Sequence, residues 1–489
     1  MAVQTSVANI VLGPPACGRA ASDAGAWTPP ATPAASRSHP IRYAATFTYR
    51  GYTQVVRRKL CNVIPAECVR FGLFGTRQTR RYLCERLGWL PASARAVSKH
   101  RPIWIHANSY GEVLASEPLL QAMRQRWSGV PVVVSTTNFT ADTEAHRLPE
   151  CAGVFFVPYD SPGIVARVLA QLRPRGLVFV EADLWPNLLR ACTQRAIPVV
   201  LVSGRYMDLR YWFNWRFPLT QEVLQHVAQF CMQSDHDAER LRALAPKARM
   251  QVTGNLKVDR LKQLGVTDAA ALQPWREGFR LTNASPPVWV AGSVHPGEDE
   301  LVFEAYLAAR RIHPALTLLL APRYLEHVAR CEQLAKDRGL QVFRRSAMRV
   351  GRTRIDEDVI LLDTLGELSW CYALGTVTFV GGSLVPDSWA PRGFECEGHN
   401  PLEPVAWGKL ALFGPRMGNF AALAKVCLDA GVGWQVENAE QLAQRVAQVI
   451  GDATVREDVA RRSRILLAHQ PSVAQQTLDA IAPVMKGDP

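Results

Sequence analysis

The chain has 489 residues, 48% of them hydrophobic, 20% charged and 8% aromatic, and a formal net charge of +13. That composition excludes a collagen-like chain, a disulfide scaffold and a wholly disordered protein, and at ~100–200 residues per domain the length predicts two to four domains. Lys and Arg number 56 against 43 Asp and Glu, a balance that suits an anionic partner: nucleic acid, an anionic membrane or a phosphorylated substrate.

Residues 1–50 are rich in Ala, Pro, Ser and Thr and read as a disordered segment. Residues 51–100 change character: Arg57, Arg58, Lys59, Arg70, Arg77, Arg80, Arg81 and Arg86 alternate with apolar side chains, the pattern of basic amphipathic helices. Such helices lie on an anionic bilayer, where each basic residue adds ~1 kcal/mol, or pack on the body of a domain; the pattern fits both. From Pro102 onward short apolar runs alternate with helical stretches. Ile103–Ile105, Val132–Val134, Val154–Val157, Leu177–Val180, Val199–Val202 and Gln229–Met232 are predicted strands of a domain over 101–265. Residues 266–287, with Pro274, Pro286 and Pro287, read as a linker. Val288–Ala291, Leu316–Leu320, Val359–Leu362, Val377–Val380 and Leu410–Phe413 repeat the alternation over 288–470, and 471–489 reads as a C-terminal helix or tail. Continuous apolar runs separated by helices indicate parallel sheets covered on both faces. The predicted fold is α/β: two Rossmann-like doubly wound domains facing a central cleft, with ligands at the carboxyl ends of the strands.

Eleven cysteines occur with no C-x-x-C pair, which argues against a structural zinc site or a disulfide framework and fits a reducing compartment. The signatures of zinc proteases, P-loop NTPases, serine hydrolases and dinucleotide-binding folds are missing from the sequence. No apolar stretch approaches the ~20 residues of a membrane span, and the N-terminus lacks the layout of a signal peptide.

Several strand ends carry candidate chemistry. Ser109-Tyr-Gly-Glu112 follows the first predicted strand. It fits a helix-capping box, and it equally puts the Glu112 carboxylate where it can take a proton from a substrate hydroxyl; on residue physics alone the capping box is the simpler reading. Glu181 and Asp183 end another strand before Trp185-Pro186, fitting either an acceptor site or a helix cap. Thr364-Leu-Gly-Glu367 and Asn400-Pro-Leu-Glu403 are further caps, and Gly381-Gly-Ser383 and Ala291-Gly-Ser293 permit close backbone approach at strand ends. Arg205, Lys257 and Arg323 recur after predicted strands. Any one of them suits a surface ion pair; three together suggest an anionic substrate. Asp356-Glu-Asp358 precedes a strand and is expected at the far end from the cleft, as a solvated turn.

Taken together, Trp104-Ile-His-Ala with Gly111-Glu112, Pro158-Tyr-Asp160, Glu181-Ala-Asp-Leu-Trp-Pro-Asn187, Gly254-Asn-Leu-Lys257, Gly297-Glu298, Pro322-Arg323, Gly366-Glu367, Gly381-Gly-Ser-Leu-Val-Pro386 and Gly398-His-Asn-Pro-Leu-Glu-Pro404 resemble one family. It is the Kdo (3-deoxy-D-manno-octulosonic acid) transferases, glycosyltransferase family 30, and the resemblance covers about residues 77–470. It implies a GT-B fold with an N-terminal acceptor domain and a C-terminal donor domain. It implies inverting, metal-independent transfer of Kdo from CMP-Kdo to the 6′-hydroxyl of a tetra-acylated lipid A precursor, with no cofactor, at the cytoplasmic face of an anionic inner membrane. It implies Glu112 as general base and Glu181 as a second acidic residue. Ser293, Arg323, Gly366, Glu367, Gly382, Ser383, Asn400 and Glu403 would bind the donor, and Arg205 and Lys257 anionic groups of donor or acceptor. The chain departs from the family pattern at Tyr110, where members usually have Val, in the insert Asp387–Glu397, and in having residues 1–50 in place of an apolar anchor. These departures motivate two alternatives, a divergent paralogue with another CMP-activated acidic sugar or acceptor and a non-catalytic lipid A-binding protein. Nucleic acid is not an expected partner, because the basic residues form no recognisable binding module.

Overall fold

A computed structural model of the protein describes residues 49–67, 69, 75–181, 184–205, 217–264, 269–282, 286–384, 398–469 and 471–485. Residues 1–48, Asp183 and the insert Asp387–Glu397 lie outside the described residues.

The apolar runs become parallel strands because they are covered on both faces. β1 (Ile103–His106), β2 (Val132–Thr136), β3 (Cys151–Phe156), β4 (Gly176–Val180), β5 (Val199–Gly204), β6 (Gln229–Met232) and β7 (Met250–Val252) form one sheet in the order β3-β2-β1-β4-β5-β6-β7. Trp104, Val133, Phe155, Leu177, Phe179, Val199, Leu201 and Phe230 face one core with the apolar sides of the flanking helices. β8 (Val288–Val294), β9 (Thr317–Pro322), β10 (Val342–Arg344), β11 (Val359–Leu361), β12 (Val377–Val380), β13 (Ala411–Phe413) and β14 (Gly433–Gln435) form a second sheet in the order β10-β11-β9-β8-β12-β13-β14. All pairings are parallel. The strand order turns back between β1 and β4 in the first sheet and between β8 and β12 in the second, where β10 and β11 are also exchanged at one edge. The crevice outside the strand carboxyl ends at such a reversal is where doubly wound sheets bind ligands.

The chain divides into two compact units, residues 1–255 with 477–489, and 256–476. The segment 266–287, expected as a linker, therefore lies inside the second unit, where Ala269–Gly278 is helical. From Thr477 onward the last helix, Val473–Met485, belongs to the first unit, where the Thr477 hydroxyl donates to Thr253 at 3.0 Å.

The basic helix Tyr49–Glu67 packs on the first unit. Tyr49, Tyr52, Val56 and Leu60, one stripe of the helix, are buried in its core, whereas Arg57 and Arg58 are exposed. Of the two sequence readings, the apolar face follows the packed one, so this stripe is not available to a bilayer. The helix is also tied by hydrogen bonds. Tyr52 Oη donates to Asp160 Oδ2 at 3.0 Å and Thr53 Oγ1 to Asn187 Oδ1 at 2.9 Å. Asp160 supplies a missing cap: Trp185 offers no side-chain cap to the helix Pro186–Thr193, so Asp160 accepts from the backbone N–H of Asn187 (2.9 Å) and Leu188 (2.8 Å). Among the described residues no helix is long and apolar enough to cross a membrane.

Burial raises the Asp160 carboxyl to about 6, the hydrogen bonds from Asn187, Tyr52 and Leu188 opposing it. A carboxyl whose pKa is higher folded than unfolded binds extra protons in the folded state. Its stabilising contribution is therefore full below ~4, the ordinary Asp value, and is lost as pH rises through about 6. Comparing pH-dependent unfolding free energies, the wild type is expected to lose stability between pH ~4 and ~6 relative to Asp160→Asn, which has no titrating group there. Parallel curves would overturn the assignment.

Candidate active site

At the reversal in the first sheet, β1 and β4 release their ends side by side, His106 pairing with Phe179. The turn after β1 caps the helix Tyr110–Arg126. Glu112 Oε2 accepts from the Asn108 N–H at 2.6 Å, Oε1 accepts from the Ser109 hydroxyl at 2.9 Å, and Ser109 Oγ accepts from the Glu112 N–H at 3.4 Å. The capping box is thus real, and it fixes a half-buried carboxylate at the switch point. Each carboxylate oxygen has two lone pairs, so capping does not by itself exclude work as a base. Glu181, immediately after β4, is 6% exposed and has left-handed backbone with φ of 67°. A non-glycine residue in that region carries strain of the kind found at functional sites. Arg205, after β5, lies 3.7 Å from Glu181.

Beneath these groups His106 is fixed as neutral imidazole. Burial, the largest influence, lowers its pKa to about 3. Its Nδ1 lies 3.2 Å from the Ser135 carbonyl and 3.0 Å from Ser135 Oγ, while the Trp185 indole N–H reaches Nε2 at 3.4 Å. Nδ1 therefore carries the proton, and His106 orients Trp185 rather than titrating.

The second unit builds its switch point around a residue whose role the sequence did not disclose. Glu298, fully buried in the first turn of the helix Glu298–Ile312, accepts four backbone N–H bonds. Its Oε2 takes His295 (3.1 Å) and Gly382 (2.6 Å), and its Oε1 takes Ser383 (3.0 Å) and Leu384 (2.8 Å). One carboxylate thereby ties the end of β8 to the Gly-rich turn after β12. Gly382 has φ of 71°, and a Cβ at Gly381 would lie 2.7 Å from both Glu298 Oε2 and the Ser293 carbonyl oxygen. Gly381→Ala is accordingly expected to lower the thermal midpoint; a variant with the wild-type midpoint would show that the turn can yield.

Around this turn stand several of the residues the sequence singled out. Ser383 is fully buried, donates to the Val380 carbonyl at 2.7 Å and accepts from the Gly414 N–H at 2.8 Å. Its side chain therefore holds the turn instead of facing a ligand. Glu367 is ion-paired to Arg345 at 3.0 Å and bonded to the Thr364 hydroxyl, so it braces its own loop beside Gly366. Lys257, expected on anionic groups of donor or acceptor, belongs to the second unit, where it and Arg323 both act electrostatically on Glu403. Burial raises the Glu403 carboxyl, and those two cations oppose the shift. Ser293 ends β8 with φ of 55°. Asn400, 3% exposed, accepts from the Leu402 N–H at 3.1 Å, and its Nδ2 is buried without a partner among the described residues. His295 and His399 meet at 2.9 Å between their Nε2 atoms, and burial, then the Arg323 and His327 charges, lower His295 to about 4. Asp356 and Asp358 precede β11, at the opposite end of the sheet; Asp356 is exposed, and Asp358 is half-buried and paired with Arg310 at 2.5 Å.

Comparison with known proteins agrees with this layout. A family model described as 3-deoxy-D-manno-octulosonic-acid transferase (kdotransferase) matches residues 81–260. The 3-deoxy-D-manno-octulosonic acid transferase of Bordetella pertussis is 32% identical over 393 residues, 78% of this chain and 86% of its own. That of Haemophilus influenzae is 28% identical over 414 residues, 83% of this chain and 92% of its own. Among solved structures, a glycosyltransferase from Rickettsia africae has a TM-score of 0.53 at 12% identity, covering 79% of this chain and 99% of its own. The UDP-GlcNAc 2-epimerase of Neisseria meningitidis has a TM-score of 0.53 at 12% identity, covering 78% and 100%. At such identities the likeness is one of fold, and the fold is the GT-B type expected from sequence. By its likeness to the Bordetella pertussis enzyme over most of both chains, this chain belongs to the Kdo transferase family of glycosyltransferases.

Proposed function

We propose that the enzyme transfers Kdo from CMP-Kdo to a sugar hydroxyl, the 6′-hydroxyl of a tetra-acylated lipid A precursor, in lipopolysaccharide biosynthesis. The observation that carries this reading is the Glu112 carboxylate, fixed at the switch point of the first sheet beside the Glu181–Arg205 pair. In the reaction the hydroxyl oxygen attacks the anomeric carbon of Kdo while its proton passes to Glu112. The bond from that carbon to the phosphate oxygen breaks, and CMP leaves with the electron pair. A single displacement of this kind inverts the anomeric configuration. On the donor side Lys257, Arg323 and the Asn400 amide supply positive charge and an N–H donor for a leaving phosphate, which is why no metal is invoked.

An anionic membrane surface fits the first unit. A groove of about 460 Å³ beside the helix Tyr49–Glu67 is lined by Arg50, Arg57, Arg190 and Arg195. None of the four is paired with a carboxylate among the described residues. This charge, rather than an inserted apolar face, supports the membrane reading.

The testing experiment supplies pre-formed CMP-Kdo and tetra-acylated lipid A precursor to the purified protein, with EDTA present, and weighs the lipid by mass spectrometry. A product heavier by one or more Kdo units is expected. No product from folded, vesicle-reconstituted protein would overturn the substrate assignment, and product only after magnesium is restored would overturn the metal-free step.

A further inference from the structure

At the amino ends of β12 and β13, the end of the sheet away from Gly382, lies a hollow of about 400 Å³. Three cationic side chains line it: Arg276, Lys409 and Arg456. Arg456 donates to the carbonyls of Val449 (2.6 Å) and Ile450 (2.7 Å), which end the helix Ala439–Gly451; it forms no ion pair among the described residues, and its charge acts on the Asp452 carboxylate just beyond that helix. Arg276 forms no ion pair among the described residues, and the Lys409 amine has neither a hydrogen-bond nor an ion-pair partner there. The Trp407 indole, also in the lining, has a buried N–H without a partner. One carboxylate, Glu457, reaches the rim; it is exposed and pairs with none of the three.

Three half-buried cations, none of them in an ion pair among the described residues, are costly to bring together. The cost shows at Lys409, which burial and then the Arg276 and Arg456 charges bring down to about 8. A multiply charged anion removes this repulsion, and a phosphate monoester carries about −1.5 to −2 near neutral pH where a carboxylate carries about −1. The volume also falls within the ~300–1,000 Å³ range of small-molecule sites and leaves room for an organic part beside the phosphate. We propose that this hollow binds a small phosphorylated metabolite, its phosphate held by Arg276, Lys409 and Arg456. The site is separate from the donor turn. Thr376 and Leu410, which also line the hollow, precede the strands whose other ends carry Gly381 and Gly414, so a ligand there grips the far ends of the same two strands.

The test uses the full-length protein and glycerol 3-phosphate, with malonate and potassium chloride at matched ionic strength as controls. Acetylation of Lys409 by a limiting acylating agent is followed by peptide mass spectrometry as a function of pH. Without ligand its midpoint is expected near 8. Glycerol 3-phosphate is expected to raise the midpoint by about one unit, slowing modification at pH ~7.5 by about five- to tenfold. It is also expected to raise the thermal midpoint of the wild type but not of Lys409→Gln or Arg276→Gln, while the affinity of Lys409→Gln for CMP stays as in the wild type. Equal protection by malonate or chloride would reassign the hollow to general charge screening and overturn the proposal. So would absence of protection in the wild type, a readout that does not depend on any variant folding.

Discussion

Glu112→Gln is expected to lower kcat for Kdo transfer by about 10²–10⁴-fold, the usual contribution of a general base, with little change in KM or in thermal midpoint. The separation follows from the geometry of the cap. Glutamine serves in a capping box as glutamate does. Its amide oxygen can accept from the Asn108 N–H, and its NH₂ can face the Ser109 oxygen, so both partners of the wild-type carboxylate remain satisfied. What the amide cannot do is accept a proton. Ser109→Ala is the complementary variant. It removes the hydroxyl that bonds both Glu112 Oε1 and the Glu112 N–H, at a cost of about 1 kcal/mol to the helix end, yet leaves the carboxylate in place, so its stability falls more than its rate. Initial rates and calorimetric midpoints of the two variants decide the matter. If Glu112→Gln keeps activity within threefold of wild type at an unchanged midpoint, the residue is only a cap, and the base must be sought at Glu181.

Such a test is needed because the sequence held both readings of Glu112 at once, and the structure bears out the capping geometry without removing the catalytic one. The same duality ran through the helix Tyr49–Glu67. An apolar stripe at Tyr49, Tyr52, Val56 and Leu60 looks the same whether it faces a bilayer or a protein core, and only the surrounding fold decides. Central strands were legible because burial on both faces demands unbroken apolar runs. The strands that went unread, β7, β10 and β14, are each three residues long at a sheet edge, where exposed positions such as Gln251, Arg344 and Gln435 break the run. Lys257 fell within the predicted domain 101–265 because proline punctuation places the boundary further on, whereas the chain changes unit just before it, at 255/256. Glu298 was visible in the sequence only as part of the Gly297-Glu298 pair that carries the family resemblance. Its four donors come from His295 and from residues more than eighty positions away, and nothing local in the sequence encodes that meeting.

That meeting makes Glu298→Gln the variant expected to damage the second unit most. Whichever carboxylate oxygen becomes NH₂, it confronts two backbone N–H groups that already point at it: His295 and Gly382 on one side, Ser383 and Leu384 on the other. Each buried donor left unsatisfied costs about 1–3 kcal/mol, so a pair costs about 2–6 kcal/mol, and the surrounding atoms cannot relax freely because Gly381 and Gly414 already sit against Glu298 and Ser383. For a unit of this size, about 2–4 °C of midpoint per kcal/mol gives a fall on the order of 10 °C. Release of the turn also frees Gly382 and the His295–His399 contact, so CMP affinity measured below the lowered midpoint, where the variant is still folded, is expected to drop at least about tenfold, by about 1.4 kcal/mol or more. Glu300→Gln, two residues along the same helix at an exposed pair with Arg330, is the control: it removes a surface ion pair worth about 0–1 kcal/mol and should leave CMP binding unchanged. A Glu298→Gln protein with wild-type midpoint and CMP affinity would mean that the carboxylate does not hold the turn. The shape of the turn would then have to come from the strands β8 and β12 themselves.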